Sequence, residues 1–450
     1  VVTGPEAGQV ARQVVGRAVA AAPVAGVVVG APVAMPPLDA WMHRHESSGA
    51  MCMTIEALAW FDGPPPDLAA LRCRVAERWR VHDRLRLVPV VAGGRRAWPG
   101  WAMDREFDAV AHVVAAEPGA PLVPTQALAA RLLAQPLPAG RPPWQLHLLP
   151  AGEGFALLLR AHHGLLDGMS LLALLRTLLD RPAALPPPRR GPAGDGRAAR
   201  GGAGALRALA DLVPRGRVLP FHGPVDGRRA VSWLRLPPAE LAAARAALPS
   251  GRASANAVFL ATAGGALRSA GLTGRLALPG VCAMVPVDVR PEGEADLLGN
   301  HYATVRVPLP LGGDPLRRLR EVDEFTRRAG LRPRAVAQAR LVASRPRRYG
   351  AVAALLGRYA DSPLYASVLC SSMATHCGAL WLGGARCTDM AVMPPLSPGH
   401  PLALTMVLHD GGAVLAVTAD HAHRDLAPRL CALARQEVAA LRAGPGPAPQ

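Results

Sequence analysis

The chain has 450 residues, half of them hydrophobic and 18% charged, which excludes a globally disordered protein and supplies apolar material for more than one core. Its formal net charge of +17 suits an acidic partner, whether nucleic acid, an anionic membrane surface or a phosphorylated substrate. The sequence shows no finger spacing, no aromatic-interleaved RNA motif and no basic zipper, so nucleic acid is not an expected partner.

The first 34 residues are rich in Ala, Val and Gly, and Pro23 and Pro32 interrupt their apolar run. They make a weak signal peptide and a poor membrane span. Met35 opens a segment that reads as a natural start, so 1–34 is taken as a disordered or misannotated leader. No other uninterrupted apolar run is long enough for a bilayer, and the expected location is cytoplasmic, peripheral at most to the inner membrane face.

Residues 51–61 read as a strand. In 67–82, Leu68, Leu71, Val75 and Trp79 share one helical face, with Asp67 as N-cap. A second helix is expected at 122–134, paired strands at 144–150 and 154–161, and a Leu-rich helix at 168–180. The stretch 181–227, loaded with Pro, Gly and Arg, reads as a crossover linker. Beyond it the pattern gives a strand at 231–236, helices at 237–248 and 254–271, and strands at 281–289 and 302–309. Helices at 314–329 and 335–358, strands at 402–408 and 413–419 and a closing helix at 425–442 complete the chain. The organisation is two α/β halves, 35–180 and 228–450, joined by a polar crossover.

All the basic residues are arginine. Residues 189–217 carry a net charge of +5 and residues 317–348 a net charge of +8. Exposed surface and compositional drift account for both; a membrane surface or a coenzyme phosphate is the next reading. The seven cysteines are odd in number and include no CxxC, which argues against a disulfide framework and a structural zinc. His376–Cys377 and the group Asp420, His421 and His423 resemble ligands, but match no zinc spacing. No metal is expected.

The stretch that carries chemistry is Arg160-Ala-His-His-Gly-Leu-Leu-Asp-Gly-Met169, an HHxxxDG pattern between an apolar strand and a helix. By strand parity His163 faces with Phe155, Leu157 and Leu159, and His162 faces the other way. The two imidazoles therefore have different tasks: one can face a channel while the other packs. A near-neutral imidazole suits the removal of a proton from an alcohol, amine or thiol. Asp167 can hold the loop by pairing with an arginine, and Gly168 allows close backbone approach where the helix begins. No G-x-S-x-G elbow is present, which favours direct transfer over a covalent acyl-enzyme.

The motif and its surroundings resemble the bacterial wax ester synthase/acyl-CoA:diacylglycerol acyltransferase family, within the chloramphenicol-acetyltransferase-like (CAT-like) and condensation-domain superfamily. Pro37-Leu-Asp-Ala40 is similar to the family's N-terminal signature. Arg141-Pro-Pro-Trp144 resembles its PLW element, with Pro143 in place of Leu. Residues 284–300 resemble its proline–arginine strand and following Gly-Asn. The resemblance implies two CAT-like α/β sandwich domains with an interdomain tunnel, the first carrying HHxxxDG. It implies transfer of a fatty acyl group from acyl-CoA, as co-substrate and with no other cofactor, to an alcohol or diacylglycerol. His163 would be the general base, with His162 and Asp167 supporting its loop and Trp144 serving substrate binding or support. Arg290 would pair with Asp167, or else sit at a strand end on the surface. Asn300 would orient substrate or a carbonyl, or cap a turn. Long-chain substrates would bring the enzyme against a membrane or lipid droplet.

The sequence departs from the family at two places. Asn256 is followed by Ala257 where an Asp is usual, and 369–377 lacks the usual Pro-Gly. These leave open reduced activity, or a different acceptor or carrier-bound donor as in specialised metabolism; a non-catalytic acyl-CoA-binding homologue is a further alternative, against which the intact HHxxxDG speaks.

Overall fold

The computed structural model describes residues 28–48, 51–91, 97–115, 123–180, 213, 215–249, 251–274, 280–345, 347–375 and 378–443. Strand β1 (Val28–Ala34) leads into α1 (Pro37–Ser47), β2 (Thr54–Asp62), α2 (Leu68–Trp79), β3 (Leu87–Val90) and β4 (Gly100–Asp104). Then come α3 (Ala109–His112), β5 (Val113–Ala115), α4 (Thr125–Ala134), β6 (Trp144–Ala151), β7 (Gly154–His162) and α5 (Gly168–Thr177). The second half begins with β8 (Arg229–Leu236), α6 (Pro238–Ala246), α7 (Ala255–Ser269), β9 (Cys282–Asp288) and β10 (Tyr302–Pro308). It continues through α8 (Pro315–Arg328), α9 (Leu331–Ala343), α10 (Ala351–Ala360), β11 (Val368–Ala374), β12 (Leu380–Leu382) and β13 (Ala385–Met393). Strands β14 (Leu402–His409) and β15 (Gly412–Asp420) and helix α11 (Leu426–Ala443) close the chain.

Local chemistry sets several of these ends. Asp67 accepts from the Ala70 N–H and starts α2, whose buried face is Leu71, Val75 and Trp79. Asp314 accepts from the Arg317 N–H at the start of α8. At α7, Ser254 accepts from the Ala257 N–H, so the helix is capped without the carboxylate that the family carries at 257.

Two six-stranded sheets build the molecule, in the orders β12-β13-β2-β7-β6-β5 and β10-β9-β11-β14-β15-β8. The division into halves at the crossover does not hold strictly. Strands β12 and β13 leave the second half and complete the first sheet, where β13 lies antiparallel to β2. Their alternation of apolar and polar residues is interrupted by Gly383, Gly384 and Arg386, so the pattern gives no clear signal. The expected helix 335–358 is two helices, α9 and α10. The chain between them contains Pro346 and Gly350, the residue types worst suited to a helix interior. At the N-terminus, β1 pairs antiparallel with β4 in a small three-stranded sheet. The folded chain thus reaches back to Val28, into the stretch read as leader. Residues 181–212 of the crossover and the His376–Cys377 pair lie outside the described residues; from Arg215 onward the chain packs on the second half, with Leu219 and Phe221 in its core.

Strands β2 and β7 are buried on both faces. One face feeds the core of Phe61, Phe155, Leu157 and Leu159. The other packs Leu58, Leu158 and Leu133 toward Val231 and Val414 of the second sheet. This second face also buries charge. Glu56, fully buried opposite Arg160, has no hydrogen-bond partner among the described residues on either carboxyl oxygen, and burial pushes its pKa well above the usual carboxylate range. Its stabilising protonated form is complete below the ordinary carboxyl pKa; stability is lost as pH rises through the raised one. Melting curves of Glu56→Gln and parent are therefore expected to diverge in the variant's favour from pH 4 to pH 8. A difference independent of pH would contradict this.

Candidate active site

His162 ends β7 and His163 is the first residue beyond it. Their backbone is fixed from two sides: the His162 N–H donates to the Pro143 carbonyl and the His163 N–H to the Met53 carbonyl. The rings diverge as strand parity requires. His162 is buried, its Nδ1 accepts from the Gly164 N–H at 2.9 Å, and its Nε2 lies 3.2 Å from Glu46 Oε2. An accepting Nδ1 assigns the proton to Nε2, facing Glu46. Against the cost of burial, His162 and the Met53 N–H hold the Glu46 carboxyl below its usual range. Gly164 is required here, because a Cβ would meet the His162 ring at 2.9 Å.

His163 lies at the wall of a cavity of about 690 Å³ between the two sheets. Its Nδ1 is sealed from solvent with no partner among the described residues, which leaves Nε2 as the nitrogen available for chemistry. Burial lowers its pKa, against the opposing pull of its own carbonyl and Asp167. The wall is mostly apolar, and includes Met42, Met53, Ile55, Met169, Met284 and Met373.

Two ion pairs hold the His163 loop, the first buried and the second partly exposed at its arginine. In the first, Arg290 Nη2 reaches both oxygens of Asp167, at 2.8 and 3.0 Å. The Asp167 carboxylate also caps α5 through the Ser170 N–H and accepts from the His301 N–H. Arg290 in turn binds Asp288 and the Leu297 carbonyl; burial opposes its charge, but Asp167 and Asp288 raise its pKa. Arg290 is therefore a buried clamp rather than a surface residue.

In the second pair, Arg84 binds Asp39 at 2.7 Å and the Gly164 and Leu165 carbonyls. Asp39 accepts from Asn300 Nδ2, which also donates to the His163 carbonyl at 2.7 Å. Asn300 thus orients a protein carbonyl. Sequence reasoning gave no role to Asp39, Arg84, Glu46 or Ser170. Asp39 lies within the Pro37-Leu-Asp-Ala40 signature; the others carry no spacing signal.

Gly168, Asn256 and Trp144 stand further from the ring. A Cβ on Gly168 would meet Met373 Sδ at 2.7 Å, so its smallness lets β11 approach α5. Asn256 Oδ1 accepts from Ser372, a residue of the cavity wall, and supports it from behind. Trp144 is a structural residue: it is buried, donates to the Leu85 carbonyl and stacks on His112. Asp420 is a cap, accepting from the His423 and Asp226 N–H groups. Among the described residues no group of three His, Cys, Asp or Glu could hold a metal.

In overall fold the chain matches the wax ester synthase/diacylglycerol acyltransferase from Marinobacter aquaeolei, with TM-score 0.62 and 17% identity over 91% of this chain and 99% of that one. It also matches the starter condensation domain of rhizomide synthetase, with TM-score 0.60 and 16% identity over 91% and 95%. The architecture is thus the two-domain CAT-like α/β fold. Family models for the wax ester synthase/diacylglycerol acyltransferase catalytic domain and C-terminal domain match residues 35–264 and 298–442. A Mycobacterium bovis protein named as a diacylglycerol O-acyltransferase is 30% identical over 75% of this chain and 74% of its own length. A Mycobacterium tuberculosis protein named in the same way is 26% identical over 91% and 92%. The chain belongs to the wax ester synthase/diacylglycerol acyltransferase family and is an acyltransferase.

Removing one partner of a buried ion pair leaves an uncompensated charge, at a cost of about 3–5 kcal/mol. Arg290→Met is expected to lose that much in urea denaturation, and Asp167→Asn combined with it to lose less than the sum of the two single changes. Additive losses would show that the two residues act separately.

Proposed function

We propose that the protein transfers a fatty acyl group from acyl-CoA to the hydroxyl of a long-chain alcohol or diacylglycerol, with His163 as general base. The observation that carries this reading is the His163 ring at the wall of a large apolar cavity, one nitrogen sealed and the other available. Nε2 takes the proton of the acceptor hydroxyl as its oxygen attacks the thioester carbonyl. A C–O bond forms, the C–S bond breaks, and the proton passes to the leaving CoA sulfur. His162, Asp167, Arg290 and Asn300 hold the loop; none is asked to move a proton. The methionine-rich wall suits a flexible acyl chain, since unbranched thioether side chains adapt to irregular apolar partners.

The test is CoA release across acyl-CoA lengths, crossed with a long-chain alcohol, diacylglycerol and an amine. His163→Ala is expected to lower turnover by about 10²–10⁴ with acyl-CoA affinity retained. The base works when neutral, and burial lowers its pKa. The acid limb of kcat/KM should therefore fall below the ordinary histidine value of about 6.5. Equal rates in variant and parent would remove His163 from the mechanism.

A peripheral lipid contact belongs to the same reading. No helix among the described residues is long and apolar enough to cross a membrane. Residues 329–360 carry seven Arg and no Asp or Glu, and Leu355 and Leu364 stand exposed beside them. Helix α10 packs its Gly357 on Trp41, next to the cavity-lining Met42. Clustered arginines near a surface attract anionic lipid by about 1 kcal/mol each. Charge reversal at Arg347, Arg348 and Arg358 should abolish cosedimentation with phosphatidylglycerol vesicles. Unchanged cosedimentation would place lipid contact elsewhere.

A further inference from the structure

We infer that Tyr302 is a further catalytic residue, whose hydroxyl donates a hydrogen bond to the acyl carbonyl oxygen as it gains negative charge. This rests on the acyl-transfer reading above and adds the group that reading lacks. A thioester under attack becomes tetrahedral, and its oxygen needs a donor fixed in advance where the charge develops. The donor side chains that hold the His163 loop are already engaged. Both Asn300 Nδ2 hydrogens are engaged, by Asp39 and the His163 carbonyl. Arg290 is saturated by Asp167, Asp288 and the Leu297 carbonyl.

The hydroxyls of the cavity wall narrow the choice. Ser372 is bound to Asn256, Thr304 to Tyr365, Thr375 to the Leu408 carbonyl and Thr405 to the Val392 carbonyl. Among the described residues Tyr302, Ser371 and Ser397 have no such engagement. Of these, Tyr302 has its ring beside the base, with ring centroids 5.8 Å apart. Its position is set by the same turn: Asn300 and His301, just before it, bind the His163 carbonyl and the Asp167 carboxylate. The ring packs against the Met42, Met51 and Met53 cluster. Burial also pushes the phenol pKa up, so the hydroxyl keeps its proton across the working range.

In the step itself the acceptor proton goes to His163 and the new C–O bond forms. The carbonyl oxygen becomes an oxyanion bound by the Tyr302 O–H. Collapse restores the carbonyl, expels the CoA sulfur and returns the proton from the imidazolium to it. Tyr302 lends a hydrogen bond and gives up no proton.

Tyr302→Phe removes the hydroxyl and keeps the ring. In the CoA-release assay at saturating acyl-CoA and alcohol, kcat is expected to fall by about 10²–10³. The KM for acyl-CoA, the acid limb of the pH profile and the melting curve should stay close to the parent's. An active parent with kcat within a few-fold of the variant overturns this inference alone, as does a loss confined to KM. A parent that releases no CoA with any pair overturns the acyl-transfer reading, and this inference with it.

Discussion

The site depends on a carboxylate and a guanidinium that meet out of water. Asp167 and Arg290 come from different halves of the chain, and both are buried. Isolated in the interior, either charge would be costly; together, with further hydrogen bonds from the Ser170 and His301 N–H groups and to the Leu297 carbonyl, they are tolerated. The pair caps α5, fixes the His301 backbone and closes the turn that follows His163. It works on the base only through position, which matters because small displacements of reacting groups cost large factors in rate.

The second pair, Asp39 with Arg84, performs the same service from the other side. Between them the two arginines bind or brace the carbonyls at 164, 165 and 297. A loop with its carbonyls held in this way has little freedom to turn the ring away from the cavity. The immobility comes from polar groups in a region otherwise built of Leu, Met and Ala. This explains how a chain poor in aromatics can still hold an imidazole in place.

Much of this was legible in the sequence. The two-fold alternation through Phe155, Leu157 and Leu159 assigns the His163 face, and an HHxxxDG turn before a Leu-rich helix locates the loop. The Asp167–Arg290 partnership could be anticipated from family resemblance, though not from spacing, since 123 residues separate the two. Glu46, Arg84 and Tyr302 were not legible, because what gives them meaning is tertiary proximity. Strands β12 and β13 were missed for a related reason: β12 has three residues, Gly383 and Gly384 stand between the two, and β13, whose alternation is irregular, gains its order by pairing with β2. The concern raised by Ala257 has a local answer in the Ser254 cap. Of the altered 369–377 stretch, residues 369–374 lie in β11 and contribute Met373, the side chain against Gly168.

The strand exchange has a mechanical consequence. Because β13 is hydrogen-bonded along β2, the two halves are sewn together by main-chain bonds as well as by side-chain packing. A clamshell that swings apart to admit its cargo would have to tear that seam. Substrates that thread in past side chains and loops leave it intact, and the first half released by a cut in the crossover would lack β12 and β13 from its sheet.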